Sequence, residues 1–574
     1  MTTSLIRQRV SPEHSLPNTI HPILQRIYSA RGVVETQQIE HSAGRLEHYQ
    51  SLLGMPEAVR LLADAIANHQ MITIVGDFDA DGATSTAVCL LALQLFGHHK
   101  ADYIVPNRFD SGYGLTPPIV DEAEKLGTEL LITVDNGISA LAGVAHAKNK
   151  GMKVLVTDHH LPGSEIPNAD AIVNPNQHGC AFPSKSLAGV GVAFYLMVAL
   201  KKHLSECDWY QKPLPNLAEL LDIVAVGTVA DVVSLDQNNR IFVHQGLQRI
   251  RAGRARPGIL ALCQVAGRNP RELQASDLGF AVGPRLNAAG RLDDMGLGIQ
   301  CLITNDVDAA HRMAQELDDL NKTRREIEQG MEKEALVALN SLLRKAEAEQ
   351  LPRVLSLYQA DWHQGVIGIL ASRVKDKYHR PVIAFASDDN GVLKGSARSI
   401  SGVHMRDLLE AIDTEKPGLI LKFGGHAMAA GLSLEAERYD EFKQLLEQKA
   451  QQWVNESLLN EEILTDGQLS RSELNLDFAQ LLRTAGPWGQ SFPEPVFEGR
   501  FELIQQRLVG EKHLKMVLKE ESGGAIYDAI AFNIDTLLWP NLTIRWVRIA
   551  YQLDINHFRG NTSMQFLVKH IEAH

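Results

Sequence analysis

Cysteine is scarce and unpatterned in this chain. Cys89, Cys180, Cys207, Cys263 and Cys301 are scattered, odd in number and form no CxxC pair. That excludes a disulfide framework and a zinc ribbon and points to a reducing compartment. No apolar run approaches the roughly 20 residues that a membrane span needs. The opening MTTSLIRQRVSPEH lacks the apolar core of a signal peptide, so the cytoplasm is the expected location. A basic excess is missing too, since the net charge is −13. This argues only weakly against a nucleic-acid partner, because bound cations neutralise clustered acids and local Arg/Lys placement matters more. No low-complexity segment or convincing repeat is present. At 574 residues, 45% hydrophobic and 22% charged, the chain suits a soluble protein of two to four domains.

What is present is a set of acidic segments, each closing an apolar run. Asp77-Phe78-Asp79-Ala80-Asp81-Gly82 follows MITIVG, and Asp135-Asn136-Gly137 follows LLITV. Asp158-His159-His160 follows KVLVT, and Ala230-Asp231 follows IVAVGTV. Short Val/Ile/Leu runs read as strands buried on both faces of a parallel sheet, and ligands collect at the carboxyl ends of such strands. Asp77, Asp79, Asp135, His159 and Asp231 then converge although distant in sequence. Carboxylates with imidazole and no thiolate suit Mg2+ or Mn2+, which makes this a candidate for phosphoryl chemistry. DxDxDG alone reads equally well as a loop that merely caps a helix, and it lacks the later Glu of an EF-hand. Gly82 allows a tight turn, and the helix after it offers N–H groups to phosphate. Two adjacent histidines exceed what one metal needs, so one ligates, the other meets a phosphate oxygen, and Asp158 orients a ring.

Strand and helix alternate from about 70 to 175, which predicts a parallel α/β sheet. Residues 186–300 are mostly helical. Between about 305 and 350 lies a long charged helix with Met313, Leu317, Leu320, Ile327 and Met331 as its apolar stripe, either a spacer or an ordinary hairpin. Residues 352–450 alternate again as a second α/β domain. Past Gly486-Pro487-Trp488-Gly489, short alternating segments predict a small all-β barrel.

Gly283-Pro284-Arg285-Leu286-Asn287-Ala288-Ala289-Gly290-Arg291 has two arginines, an asparagine and small residues that suit a phosphate backbone running close to the main chain; the alternative is a surface loop with solvated arginines. In the second domain Gly395-Ser396-Ala397-Arg398 and Gly424-Gly425-His426 sit after candidate strands, and Arg373 lies on the helix after Gly365. Trp546, Tyr551, Phe558 and Arg559 of the barrel are stacking and phosphate candidates, although such aromatics more often form core.

Together these segments resemble the DHH phosphoesterase superfamily, whose signature triplet is Asp158-His159-His160 here. GDFDADG, TVDNGIS, VTDHH, GTVADVV and GPRLNAAGRLDD look like motifs of its exonuclease branch. DWHQGVIGILASR, KGSARSI and FGGHAMAAG resemble the associated DHHA1 domain, while GPWGQSFPEPVFEG and the tail to LVKHIE look like an OB-fold. The resemblance covers almost the whole chain. It implies a DHH parallel-sheet domain with an N-terminal extension over 1–304, a connecting helix over 305–350, a DHHA1 domain over 351–455 and an OB-fold over 456–574.

By that resemblance Asp77, Asp79, Asp135, His159 and Asp231 hold two Mg2+ or Mn2+ ions, with Asp135 as the bridge. His160 contacts the scissile phosphate, and Asp158 and Asp81 belong to the catalytic machinery. Arg285, Asn287 and Arg291 guide the strand, faced by Arg373, Ser396, Arg398, Gly425 and His426. Thr73 departs from the wider superfamily, whose pyrophosphatase-like members place a histidine there; the Asp77-centred metal then fills only with substrate bound. The implied activity is two-metal hydrolysis of single-stranded DNA from a free 5′ end, releasing nucleoside 5′-monophosphates in DNA repair and recombination. The implied partners are a single-stranded-DNA-binding protein and a helicase, with no membrane and no oligomer. Two rivals are a phosphodiesterase of dinucleotides, which needs neither the barrel nor the 285–291 segment, and a non-catalytic DNA-binding scaffold, which would have lost ligands.

Overall fold

Five short strands carry the first domain, and their order places the acidic segments side by side. In chain order they are Ile72–Val75, Ala101–Ile104, Leu130–Val134, Lys153–Thr157 and Ala171–Val173. All neighbours pair in parallel, and the spatial order is second, first, third, fourth, fifth. The order reverses between the first and third strands, and a crevice opens at the carboxyl ends of such a switch point. Asp77 and Asp135 follow those two strands.

This computed structural model describes residues 5–106, 114–207, 209, 215–345, 351–388, 391–521, 524–558 and 560–574. Arg559 and the side chain of Phe558 lie outside that set. The chain divides into two compact units, one of residues 8–321 with 465–574 and the other of 1–7 with 322–464. The helix predicted for 305–350 is continuous from Val307 to Lys345. Of its apolar stripe, Leu317 and Met331 are buried.

In the first unit, helix Ala80–Leu95 is buried on nearly every side, packed against helices Gly189–Glu206 and Leu221–Ala230. IVAVGTV, read above as a strand, lies in the last of these, so Asp231 caps a helix instead of ending a strand. Every residue from Leu221 to Thr228 is buried, and an apolar run without periodicity cannot separate a buried strand from a buried helix. The 283–291 segment, for which a surface loop was the alternative reading, lies in helix Gly283–Leu292, entered through a π turn at Leu278–Val282.

The predicted barrel is closed by Phe497–Val509, His513–Glu520, Ile526–Ala531, Asn561–Ala573 and Trp546–Phe558, in that spatial order. Ile526–Ala531 and Asn561–Ala573 run parallel, while the remaining barrel pairs are antiparallel. Tyr551 is 1% exposed and stacks on Phe566 at 4.3 Å, so it is core and not a base platform. The barrel shares one hydrophobic core with the first domain.

The second unit holds a five-stranded sheet whose only parallel pair is Leu355–Tyr358 with Val382–Ser387. Helix Ile367–Tyr378 covers that pair. Gly395–Arg398, placed above after a candidate strand, lie inside strand Val392–Arg398. Among the described residues no helix is long and apolar enough to cross a membrane.

Candidate metal centre and nucleic-acid face

The first acidic segment leaves strand Ile72–Val75 and turns at once into a helix. Asp79 is the N-cap: its Oδ1 accepts from Asp81 N at 2.9 Å and Gly82 N at 3.1 Å. The N–H of Ala80 goes to Asn287 Oδ1 at 2.8 Å. The N-terminal donors expected to serve phosphate are thus engaged within the protein. Gly82 does not make a turn; a Cβ there would stand 2.5 Å from Asp77 N and O, so glycine is required by close approach. Capping and metal binding, weighed above as alternatives, are compatible in Asp79, because capping uses only one of its oxygens.

Asp135 has φ +61°, a strained conformation for a non-glycine residue, and is 2% exposed. Asn136 steadies it by donating Nδ2 to Val75 O and Val134 O, tying the ends of the two central strands together. Asp158 Oδ1 accepts from His159 N, His160 N and His160 Nδ1, at 2.7, 3.1 and 2.8 Å, and its Oδ2 accepts from Ile138 N. Burial alone would raise this carboxyl, but the His160 hydrogen bond and charge hold it below the usual range. In return Asp158 raises His160 against the effect of burial.

His159 Nε2 lies 3.0 Å from Asp135 Oδ1, 3.6 Å from Asp231 Oδ2 and 3.8 Å from Asp81 Oδ2. Ligand atoms of Asp77, Asp79 and Asp135 lie within 4.8 Å of one another; so do those of Asp81, His159 and Asp231, and those of Asp135, His159 and His160. Asp135 belongs to two of these three groups. Asp81, expected in the catalytic machinery, gives its oxygens to the N–H groups of Gly189 and Val190 at 2.6 and 2.9 Å, and so anchors a helix.

Burial and mutual repulsion then act together. Asp135 and Asp231 are pushed well above the carboxylate range by desolvation first and neighbouring carboxylates second. Asp81 is pushed up to about 7 by the same causes. Burial lowers His159 to about 4, with His160 adding to the effect, which leaves a neutral imidazole. His159 Nε2 and Asp231 Oδ2 are buried without a hydrogen bond of good geometry. Crowded carboxylate oxygens and a neutral ring nitrogen, with no thiolate, fit a hard divalent cation.

Two of the residues expected to guide a strand do something else. Arg285 is 8% exposed, bonds Ala281 O at 2.7 Å and pairs with Asp318 at 2.7 Å. Both of its terminal nitrogens are thus engaged within the protein. Asn287, as above, holds the metal loop. Arg291 is half-buried in the last turn of the same helix. Small residues beside Asn287 serve packing: a Cβ on Gly290 would stand 1.7 Å from Phe78 O.

In the second unit, Arg398 donates to Ser396 Oγ at 3.1 Å, and Gly431 pairs with both Ser396 and Gly424. Lys394, Ser396 and Arg398 alternate with buried residues and so share one half-exposed face. Gly425 has φ +136°, and His426 N closes a turn onto Ala429 O at 2.8 Å. Arg373 bonds Glu328 at 2.8 Å on a helix of the same unit. The sequence reading missed Asn136, Gly189 and Val190. GVGV before the apolar run was the visible signal for Gly189 and Val190, a small-residue helix start, and Asn136 stood beside Asp135 at the strand end.

Comparisons with known proteins agree with this geometry. Residues 71–228 match the DHH family, N-terminal domain; 351–452 match the DHHA1 domain; 465–570 match the RecJ OB domain. Asp231 and the 283–292 helix fall outside these segments. The single-stranded-DNA-specific exonuclease RecJ of Dickeya dadantii is 56% identical over 569 residues, covering 99% of this chain and 98% of the relative. RecJ of Thermus thermophilus in complex with Mn2+ superposes with a TM-score of 0.77 at 28% identity, covering 96% of this chain and 76% of that one. The same protein with Mg2+ gives 0.73 at 26%, covering 96% and 75%. With its three domain types matched, its acid and imidazole cluster in place and a relative aligned end to end, this chain belongs to the RecJ family of single-stranded-DNA-specific exonucleases.

Proposed function

We propose that the protein is a metal-dependent exonuclease that degrades single-stranded DNA from a free 5′ end and releases nucleoside 5′-monophosphates. The observation that carries this reading is the convergence of Asp77, Asp79, Asp135, His159 and Asp231 at the switch point of a parallel sheet. In this reading those five residues hold two Mg2+ or Mn2+ ions, with Asp135 shared between them. Such ions supply a water activated near neutral pH and stabilise the leaving oxygen.

The chain's own residues do the rest. His160, its Nδ1 fixed by Asp158, presents its ring to the scissile phosphate and neutralises charge on an oxygen. Asp158 keeps that ring protonated and oriented. Ser396, Arg398, Gly425 and His426, with Arg373 and Arg291, grip the sugar-phosphate backbone through donors and close approach of the main chain. The barrel adds length of contact. The work belongs to DNA repair and recombination in the cytoplasm, as a monomer, with a helicase and a single-stranded-DNA-binding protein supplying the strand.

Asp79→Ala and His159→Ala test the reading, assayed with Mg2+ and Mn2+ on 5′-labelled and 3′-labelled single strands. Each variant loses nuclease activity by about 1,000-fold or more, and the unaltered protein releases the 5′ label first. Near-normal activity in either variant refutes the ligand set, and early release of the 3′ label refutes the polarity.

A further inference from the structure

Asp231 caps helix Leu221–Ala230 in αR conformation, its N–H bonded to Gly227 O at 3.0 Å, and the chain leaves the helix directly after it. The next residue, Val232, has φ +61° and is 63% exposed. A β-branched residue takes that conformation only when its surroundings impose it. What imposes it lies three residues on. Leu235 donates its N–H to Gln490 O at 2.8 Å and accepts Arg240 Nη1 on its carbonyl at 2.7 Å. Its side chain lies against Gly489, where a Cβ would stand 2.6 Å from Leu235 Cδ1. Ser234 Oγ bonds Ser491 Oγ at 2.8 Å.

The other side of this junction, the loop that leads into the barrel, is itself rigid. Gly489 and Phe492 exchange both backbone hydrogen bonds, at 2.9 and 3.1 Å. Trp488 stacks on Phe492 at 5.2 Å with 14° between the rings. Arg240, which grips Leu235, lies 4.2 Å above the Phe492 ring. The chain around Asp231 is therefore pinned by the helix before it and by the 489–492 loop after it. Val232 absorbs the mismatch.

We infer that Gly489 and its loop are positioning elements for the metal centre, holding the 232–235 segment so that Asp231 meets His159. The inference rests on Asp231 being a metal ligand. It gives the GPWGQSF segment a task at the catalytic centre besides joining the barrel to the chain. A Cβ at 489 would meet the Leu235 side chain at Cδ1 and Cγ, and in this inference a branched residue there passes the displacement through three residues to Asp231.

The test uses the full-length protein. Mn2+ affinity is measured without DNA, by electron paramagnetic resonance of free ion, for the unaltered protein, Asp231→Ala, Gly489→Val and the pair Gly489→Val with Leu235→Ala. Single-strand affinity is measured separately in EDTA by fluorescence anisotropy. Gly489→Val should weaken Mn2+ binding by about tenfold or more, as loss of an outer-shell support does, and leave strand affinity in EDTA unchanged. Excess Mn2+ should restore its turnover, and the paired variant, which relieves the clash, should recover Mn2+ affinity. Should Gly489→Val fail to fold, Gly489→Ala takes its place with the same outcomes. Unchanged Mn2+ affinity in the Gly489 variant, with Asp231→Ala weakened, overturns the inference alone. Unchanged affinity in Asp231→Ala overturns the ligand assignment and the inference with it.

Discussion

Gly290 and the carbonyl of Phe78 are in such close contact that a Cβ on Gly290 would stand 1.7 Å from that oxygen. Phe78 lies between the carboxylates Asp77 and Asp79, so helix Gly283–Leu292 buttresses the acidic loop from behind. Asn287, one turn earlier, fixes the same loop through Ala80 N. Gly290→Ala must push that loop toward the crevice. A displacement near 1 Å at a catalytic group costs about 100-fold in rate, and kcat on a single strand should fall by that order while single-strand affinity in EDTA holds.

Arg285→Ala should act on stability and not on DNA. It removes one member of the buried Arg285–Asp318 pair, and breaking a buried pair in this way costs about 3–5 kcal/mol. Urea denaturation should show that loss, with strand affinity of the folded protein unchanged in anisotropy. A wild-type stability with weakened binding would return Arg285 to the DNA.

Asp158→Asn keeps the size of the side chain and removes the charge that raises His160. Losing an oriented, protonated partner of this kind costs about 100- to 10,000-fold. The fall should appear in kcat with KM for the strand little altered, and Mn2+ affinity should stay near that of the unaltered protein.

Asp135→Asn removes one of the crowded carboxylates. Without metal, relief of repulsion should raise the melting temperature by about 2 °C, equivalent to about 1 kcal/mol in a large domain. Added Mn2+ should stabilise the unaltered protein and fail to stabilise the variant. Calorimetry with and without EDTA reads both effects.

Arg398→Ala tests the sheet face of the second unit. Loss of a phosphate contact weakens binding evenly across sequences and lowers the slope of log K against log salt by about 1. A sequence-selective loss, or an unaltered slope, removes Arg398 from the backbone contact.

Strand ends were legible because the covered part of a parallel strand carries no charge, so the first acid after ITIV, LLITV or KVLVT marks its exit. The barrel was legible as an all-β domain for a related reason: short alternating segments with turn signals pack as a sandwich or a barrel. Asp231 was found for a mistaken reason, as a strand end, since an apolar helix buried all round carries no 3.6-residue signature. The Arg285 pairing was not legible, because arginine in a glycine-rich segment looks the same whether it meets phosphate or Asp318. Only the partner decides, and that partner stands on another helix.

The order of residues alone determined which ligand types exist, that they close buried strands, and that three domain types follow one another. Those properties are local, set by side-chain chemistry and by the period of each element. The tertiary structure alone decided which acids converge, which arginines are spent inside, and that a loop beyond residue 486 braces Asp231. Convergence depends on the switch in strand order and on helix approach distances, and these are settled by contacts between segments hundreds of residues apart.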